Sequence, residues 1–147
     1  MANRRHLDLD DYLPYLVNRV GSALVSNFTK DALVSERLSI AMWRVLAVLS
    51  NNGEQRQIDL AEMTSIDVST LSRLVTRLVS RGLVTRRRSK TNSREVVVQL
   101  SAKGRKVVDR VIPIAKRLET RAVAGLPSKE LAAVKRGLQR IFRNLAR

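Results

Sequence analysis

The chain has no cysteine among its 147 residues, which removes disulfides, thiolate nucleophiles and thiol redox sensing together. It has a single histidine, His6, near the N-terminus, where a solvated terminal residue is its ordinary reading. A zinc site would have to be built from carboxylates alone, which zinc disfavours, and no interior Ser-His-Asp triad can be assembled. No apolar run approaches the ~18 to 20 residues that cross a bilayer. The Arg4-Arg5-His6 start leads into Asp8, Asp10 and Asp11 without an apolar signal core, so a cytoplasmic protein with no membrane partner is expected. Paired carboxylates and a glycine-rich phosphate loop are missing too. Asp59 and Glu62 share one face of a short helix by their spacing, where helix polarity explains them better than acid-base chemistry. An enzyme is therefore not expected, and no cofactor or metal is expected either.

The most telling absence is local. Between Val68 and Arg94 there is no Asp or Glu, while Arg73, Arg77, Arg81, Arg86, Arg87, Arg88, Lys90 and Arg94 all fall there. Residues 1–67 carry a net charge of −2, residues 68–94 carry +8 and residues 95–147 carry +9, within a total of +15. Nucleic acid is the commonest partner for such a surplus, ahead of anionic membranes and acidic proteins. The apolar patterning of the same stretch distinguishes it from a disordered basic tail.

Apolar residues recur at three and four along most of the chain. Asp10 or Asp11 can cap a first helix with Pro14 in its first turn, and Leu13, Leu16, Val17, Val20 and Leu24 form its stripe towards Phe28. Ser39 opens a second helix that buries Met42, Val45, Leu46 and Leu49 and stops at Asn52-Gly53. Ile58, Leu60, Ala61 and Met63 make a short third helix, Thr64-Ser65-Ile66 turns the chain, and Asp67 can cap a fourth. Two short helices around a tight turn suggest helix-turn-helix.

On the fourth helix Leu71, Leu74, Val75 and Leu78 fall on one side, and Ser69, Arg73, Thr76, Arg77 and Ser80 on the other. An outward face of hydroxyls and guanidinium groups suits the major groove, since Arg can bond guanine edges and Ser and Thr reach bases or phosphates. Surface helices ordinarily mix both signs of charge. The candidate DNA-binding residues on this helix are Ser69, Thr70, Ser72, Arg73, Thr76 and Arg77.

Gly82 ends the fourth helix, and the β-rich runs 83–86 and 96–100 flank a polar, basic tip, which reads as a hairpin. Beside a helix-turn-helix such a hairpin is a wing. Arg86, Arg87 and Arg88 are placed to grip phosphate, and Lys90 and Arg94 lie towards the tip, where Arg suits a narrow minor groove.

Ser101 caps a fifth helix with Val107, Val108, Val111, Ile112, Ala115 and Leu118 in its stripe, and Pro113 is expected to kink it. A sixth helix follows Gly125-Leu126-Pro127. The outer helices cannot easily fold back on a winged helix of about 60 residues, so they are expected to pair with a second copy through Leu13, Leu16, Leu131, Val134, Leu138, Ile141, Phe142 and Leu145. The predicted fold is mainly α with a small β-hairpin wing. Segments 1–38 and 101–147 would supply dimerisation helices and 39–100 the winged helix-turn-helix, all within one continuous domain. A two-fold homodimer would space two recognition helices for a pseudo-palindromic site on double-stranded DNA.

Several local strings resemble the multiple antibiotic resistance regulator (MarR) family of bacterial transcription factors over nearly the whole chain. They are Met42-Trp43-Arg44-Val45-Leu46, Gln57-Ile58-Asp59-Leu60-Ala61, Ser69 to Val75, Leu78 to Val84, and Leu100 to Arg105. The resemblance implies a dimeric repressor that occludes a promoter and releases DNA when a small anionic or aromatic effector binds. It also implies a wing Asp-x-Arg motif, and this chain has Asn92-Ser93-Arg94 there, keeping the arginine and losing the acid. Candidate effector-binding residues are Tyr12, Tyr15, Arg19, Trp43 and Arg44. Trp43 fits core packing better than ligand stacking, and Tyr12 and Tyr15 fit either a pocket wall or the dimer contact. The surplus beyond residue 95 leaves two effector classes open, an aromatic carboxylate and an aromatic acyl-coenzyme A. The competing reading of the whole chain is a nonspecific, architectural DNA-binding protein without an effector, which would bind every duplex alike.

Overall fold

The computed structural model describes residues 5–146. Residues 1–4 and 147, at the ends of the predicted dimerisation segments and including Arg4, lie outside the described residues. The chain runs through α1 (Leu13–Phe28), α2 (Ile40–Asn52), β1 (Gln55–Arg56), α3 (Gln57–Thr64), α4 (Val68–Ser80), β2 (Val84–Arg88), β3 (Val96–Leu100), α5 (Ala102–Ala122) and α6 (Ser128–Leu145). The fold is mostly helical with one small antiparallel sheet, as the sequence predicts.

Three predicted caps form as the local sequence dictates. Ser39 Oγ accepts from the Met42 amide at 3.1 Å, Asp67 Oδ1 from the Thr70 amide at 2.9 Å, and Ser101 Oγ from the Gly104 amide at 2.9 Å. Each satisfies a helix-start amide that has no intrahelical partner. At the chain's start the expectation is corrected. Asp10 and Asp11 lie inside a short 3₁₀ turn, Leu9–Asp11, which Asp8 caps, and α1 starts after Tyr12 without a side-chain cap. A proline in the first turn substitutes for it, because Pro14 removes a donor that would otherwise be orphaned. α1 also runs on beyond Phe28 into a π-helical turn, Thr29–Leu33.

The sheet is larger than the predicted hairpin. Its order is β1-β3-β2, with Gln55 opposite Val98 and Val84 opposite Leu100. The polar pair Gln55-Arg56 becomes a strand because β3 offers an open edge beside it. The core lies between α2, α3, α4, the sheet and the first half of α5, with Leu46, Leu60, Leu71, Leu78, Val98 and Val108 fully buried. Their burial is the main stabilising contribution, at about 1.5 to 3 kcal/mol per large aliphatic side chain.

Two ties hold the outer helices to this body. Arg81, half-buried at the end of α4, donates to the backbone carbonyls of Arg37 (2.6 Å) and Glu36 (2.9 Å), and Glu36 in turn pairs its carboxylate with Arg110 of α5 at 2.7 and 2.9 Å. The Arg110 guanidinium holds the Glu36 carboxyl below its ordinary range. Arg37 sits at φ 54°, a left-handed position that this turn imposes on a side-chain-bearing residue.

The apolar faces of α1 and α6 are not covered. Leu13, Leu16, Val17, Val20 and Leu24 on α1, and Val134, Leu138, Phe142 and Leu145 on α6, range from 37% to 79% exposed. Leu131 and Ile141 are half-buried, and no α6 residue is buried. Exposed apolar surface repeated on two helices is unusual for a soluble monomer. Between α1, α5 and α6 lies an apolar groove of about 620 Å³, with Leu24, Leu118, Val134 and Leu138 among its walls. No helix among the described residues is long and apolar enough to cross a membrane.

Candidate nucleic-acid interface

The helix-turn-helix is built by α3 and α4. Ser65 closes α3 in the left-handed region at φ 56°, donating its amide to Glu62 while Ile66 donates to Ala61. This compact stop is the kind usually given to glycine or asparagine. α4 then buries Leu71, Leu74, Val75 and Leu78 and turns its polar side to solvent. Ser69, Thr70, Arg73, Thr76 and Arg77 are exposed, and Ser72 is half-buried. The predicted reading face is thus presented as one surface.

Within that surface the side chains are pre-arranged. Arg73 Nη2 lies 3.4 Å from Thr70 Oγ1, and Thr76 Oγ1 donates to the Ser72 carbonyl at 3.0 Å. Asp67, at the leading end, has its carboxyl held down to about 2 by hydrogen bonds from Thr70 and Ser69, so it stays ionised at any physiological pH. It is the one carboxylate at the edge of an otherwise acid-free face.

The wing carries four arginines and engages them differently. Arg86 reaches α4, donating to Thr76 Oγ1 at 3.0 Å and lying 3.4 Å from the Ser72 carbonyl. Arg87 pairs with both oxygens of Glu54 at 2.7 and 2.8 Å, and Arg88 donates to the Ser93 carbonyl at 2.9 Å. The Arg94 guanidinium has no partner among the described residues, and Lys90 is exposed at the tip. Of the predicted phosphate-gripping trio, each therefore has an intramolecular acceptor, whereas the Arg94 guanidinium is unengaged among the described residues.

The missing wing acid has a substitute. The Asn92 amide oxygen accepts from the Arg94 amide at 3.1 Å, and Ser89 and Glu95 close the tip through Ser89 N–H to Glu95 C=O at 2.8 Å and Glu95 N–H to Asn92 C=O at 3.0 Å. Asparagine accepts here as an aspartate would, forming an Asx turn. Beside the start of β3, Arg56 from β1 pairs with Asp59 of α3 at 2.6 Å and with Glu95 at 2.8 Å. Sequence reasoning passed over Arg56 and Glu54. Their partners, Glu95 and Arg87, lie more than thirty positions away, so no local spacing signals either pair.

The five candidate effector residues do not converge. Tyr15 is half-buried with the Arg19 guanidinium 5.8 Å over its ring, and Tyr12 is exposed. Trp43 packs edge-on against Phe28, with ring centroids 5.6 Å apart, and its outer side lines the apolar groove. Arg44 lines a separate shallow groove of about 650 Å³ between α1 and α2. Among the described residues no group of three or more His, Asp or Glu side chains is placed to hold a metal.

Residues 38–96, which contain α2 to α4, β2 and the wing tip, match the model of the MarR family. A crystal structure of a MarR-family transcriptional regulator from Silicibacter pomeroyi superimposes with a TM-score of 0.85 at 31% identity, covering 95% of this chain and 96% of the other. A structure of Bordetella bronchiseptica BpsR, described in terms of regulation of its DNA binding by 6-hydroxynicotinic acid, gives 0.79 at 26% identity over 88% of this chain and 97% of the other. The HTH-type transcriptional repressor IacR of Pseudomonas putida is 26% identical over 92% of this chain and 81% of its own length. The chain belongs to the MarR family of transcriptional regulators and is not an enzyme.

Proposed function

We propose that the protein is a ligand-responsive repressor that binds a pseudo-palindromic operator as a homodimer. The observation that carries the DNA reading is the acid-free outer face of α4, flanked by a wing whose Arg94 donors are unengaged. Hydroxyls and guanidinium groups there bond base edges and phosphates, while the arginine at the wing enters the minor groove. Ser69, Thr70, Ser72, Arg73, Thr76 and Arg77 read or position, and Arg86, Arg87, Arg88, Lys90 and Arg94 anchor.

The dimer reading is supported by the uncovered apolar faces of α1 and α6. Joining two copies through them buries surface that the monomer leaves in water, and sets two recognition helices about one helical turn of DNA apart. Static light scattering at micromolar protein is expected to give twice the chain mass, and a monomer would overturn this part.

The effector reading is supported by the two grooves beside α1 and by the BpsR relative, whose DNA binding responds to a hydroxylated aromatic carboxylate. Arg44 lines one of these grooves and Trp43 the other, so a cation and a ring are each available, while Tyr12, Tyr15 and Arg19 line neither. The effector class is therefore an aromatic carboxylate or its acyl-coenzyme A ester. Calorimetry with one compound of each class decides between them, and the absence of heat with either would remove the effector.

The central test is binding to the DNA upstream of its own gene against a random duplex of equal length, at ~150 mM salt. A preference of about a hundredfold or more is expected. Equal affinity there and on every fragment of a genome-wide selection would leave the architectural role.

A further inference from the structure

The leading turn of α4 combines two features that its folding does not require. Asp67 caps the helix and is exposed. Oδ1 accepts from the Thr70 amide at 2.9 Å and from Ser69 Oγ at 2.8 Å, and the Thr70 hydroxyl also bears on the carboxylate, whose two oxygens still have acceptor capacity to spare on the open side. Serine or asparagine would cap equally well, without placing a full negative charge on a face that meets phosphates. Beside it Val68 is 54% exposed at the first helical position. Valine is a modest helix former and is only partly covered there. It is also the one large apolar side chain left open on the leading half of the recognition helix, since Leu71, Leu74 and Val75 are buried.

The first residues of a recognition helix are those that meet base edges, and the chemistry of this pair is selective. An exposed carboxylate seeks further donors. In the major groove guanine offers only acceptors and thymine an acceptor and a methyl. Adenine sets its amino donor beside the N7 acceptor, whereas cytosine offers its N4 amino group alone. A branched apolar side chain finds its complement in the thymine methyl. We infer that Asp67 and Val68 determine specificity in each half-site, Asp67 Oδ2 accepting from a cytosine N4 amine and Val68 packing on the methyl of a nearby thymine. The charge that repels backbone phosphate then becomes a device that rejects guanine and holds the helix in register. This inference rests on the DNA-binding regulator reading above.

The test is selection from a random-sequence duplex pool with the native protein, D67N, D67S and V68A. Thermal unfolding of each variant verifies that the fold persists, as Ser and Asn retain the cap. The native chain is expected to enrich cytosine at one position per half-site. D67S is expected to lose that preference by about tenfold, the usual cost of one mismatched contact. D67N is expected to switch the position to adenine, which asparagine bonds through N6 and N7, and a purely capping role predicts no such switch. Replacing the neighbouring thymine by deoxyuridine, which lacks only the methyl, should weaken the native protein about fourfold and leave V68A unaffected. Unchanged base profiles for D67N and D67S would reduce Asp67 to a cap, and equal native affinity for thymine and deoxyuridine would remove the Val68 contact. If the native chain selects no consensus at all, the regulator reading fails and this inference with it.

Discussion

Arg86 Nη2 donates to Thr76 Oγ1 across 3.0 Å, tying the first strand of the wing to the middle of the recognition helix. The bond makes Arg86 a spacer between the two elements proposed to contact DNA as well as a cation. Arg86→Ala is expected to weaken operator binding about tenfold, and to speed hydrogen exchange of the β2 amides as the wing loosens. Weakened binding with unchanged exchange would assign Arg86 to phosphate alone.

Glu54 holds Arg87 in a two-oxygen pair. Both partners are exposed, so the pair adds little to stability, but it withholds a cation from DNA. Glu54→Gln should tighten operator and random DNA alike by about threefold and steepen the salt dependence by roughly one phosphate. A filter-binding titration at four salt concentrations reads both numbers.

Three arginines should separate by DNA sequence. Arg73→Ala is expected to cost more on the operator than on a random duplex, Arg87→Ala the same on both, and Arg94→Ala most where A·T-rich flanks are present. Competition assays with the three duplexes settle it, and identical loss on all of them for all three variants would contradict these roles.

Gly104 permits a close crossing at the start of α5. A Cβ there would collide with the Leu83 carbonyl oxygen and stand 3.1 Å from Leu100 Cδ2. That carbonyl also accepts from the Ser101 amide at 3.1 Å, so it cannot move away freely. Gly104→Ala should destabilise by about 2 to 3 kcal/mol, lowering the melting temperature by roughly 5 to 10 °C.

The Asp67 cap carries a pH signature. Its carboxyl titrates near 2 in the folded chain against an ordinary 3.8, through hydrogen bonds from Thr70 and Ser69. A depressed folded value gives stability that is complete above the unfolded value and fades as pH falls through the folded one. Urea unfolding of the native protein and Asp67→Ala should therefore differ by a constant amount above about pH 5, and converge between pH 4 and pH 2.

Local signals made much of this molecule legible. Ser39, Asp67 and Ser101 cap because one oxygen reaches an amide three residues on, and the apolar spacing of 71, 74, 75 and 78 fixes which side of α4 faces out. What escaped notice depends on partners distant in sequence. β1 is two polar residues that become a strand only against β3. Arg81 looked like one more surface cation, yet it is spent on the carbonyls of Glu36 and Arg37. Residue type marks Tyr15 and Trp43 as effector candidates, but where they face is decided by how α1 packs on α2, which puts Trp43 against Phe28 and Tyr15 under Arg19. Asp67 was visible as a cap and passed over as a reader because capping alone accounted for it.

The Arg56 pairs with Asp59 and Glu95 have a mechanical consequence. With β3 clamped between β1 and β2, and Arg56 stapling that sheet to α3, wing and helices form a single caliper jaw that flexes little within itself. Segment 34–39 is pinned by Arg81 and by the Glu36–Arg110 pair, and Ser101 by the Gly82 and Leu83 carbonyls, so neither connection offers a free joint. In the proposed dimer, tolerance for one base pair more or less between half-sites would then fall to the outer helices, so operators could drift in spacing without any change in the residues that read them.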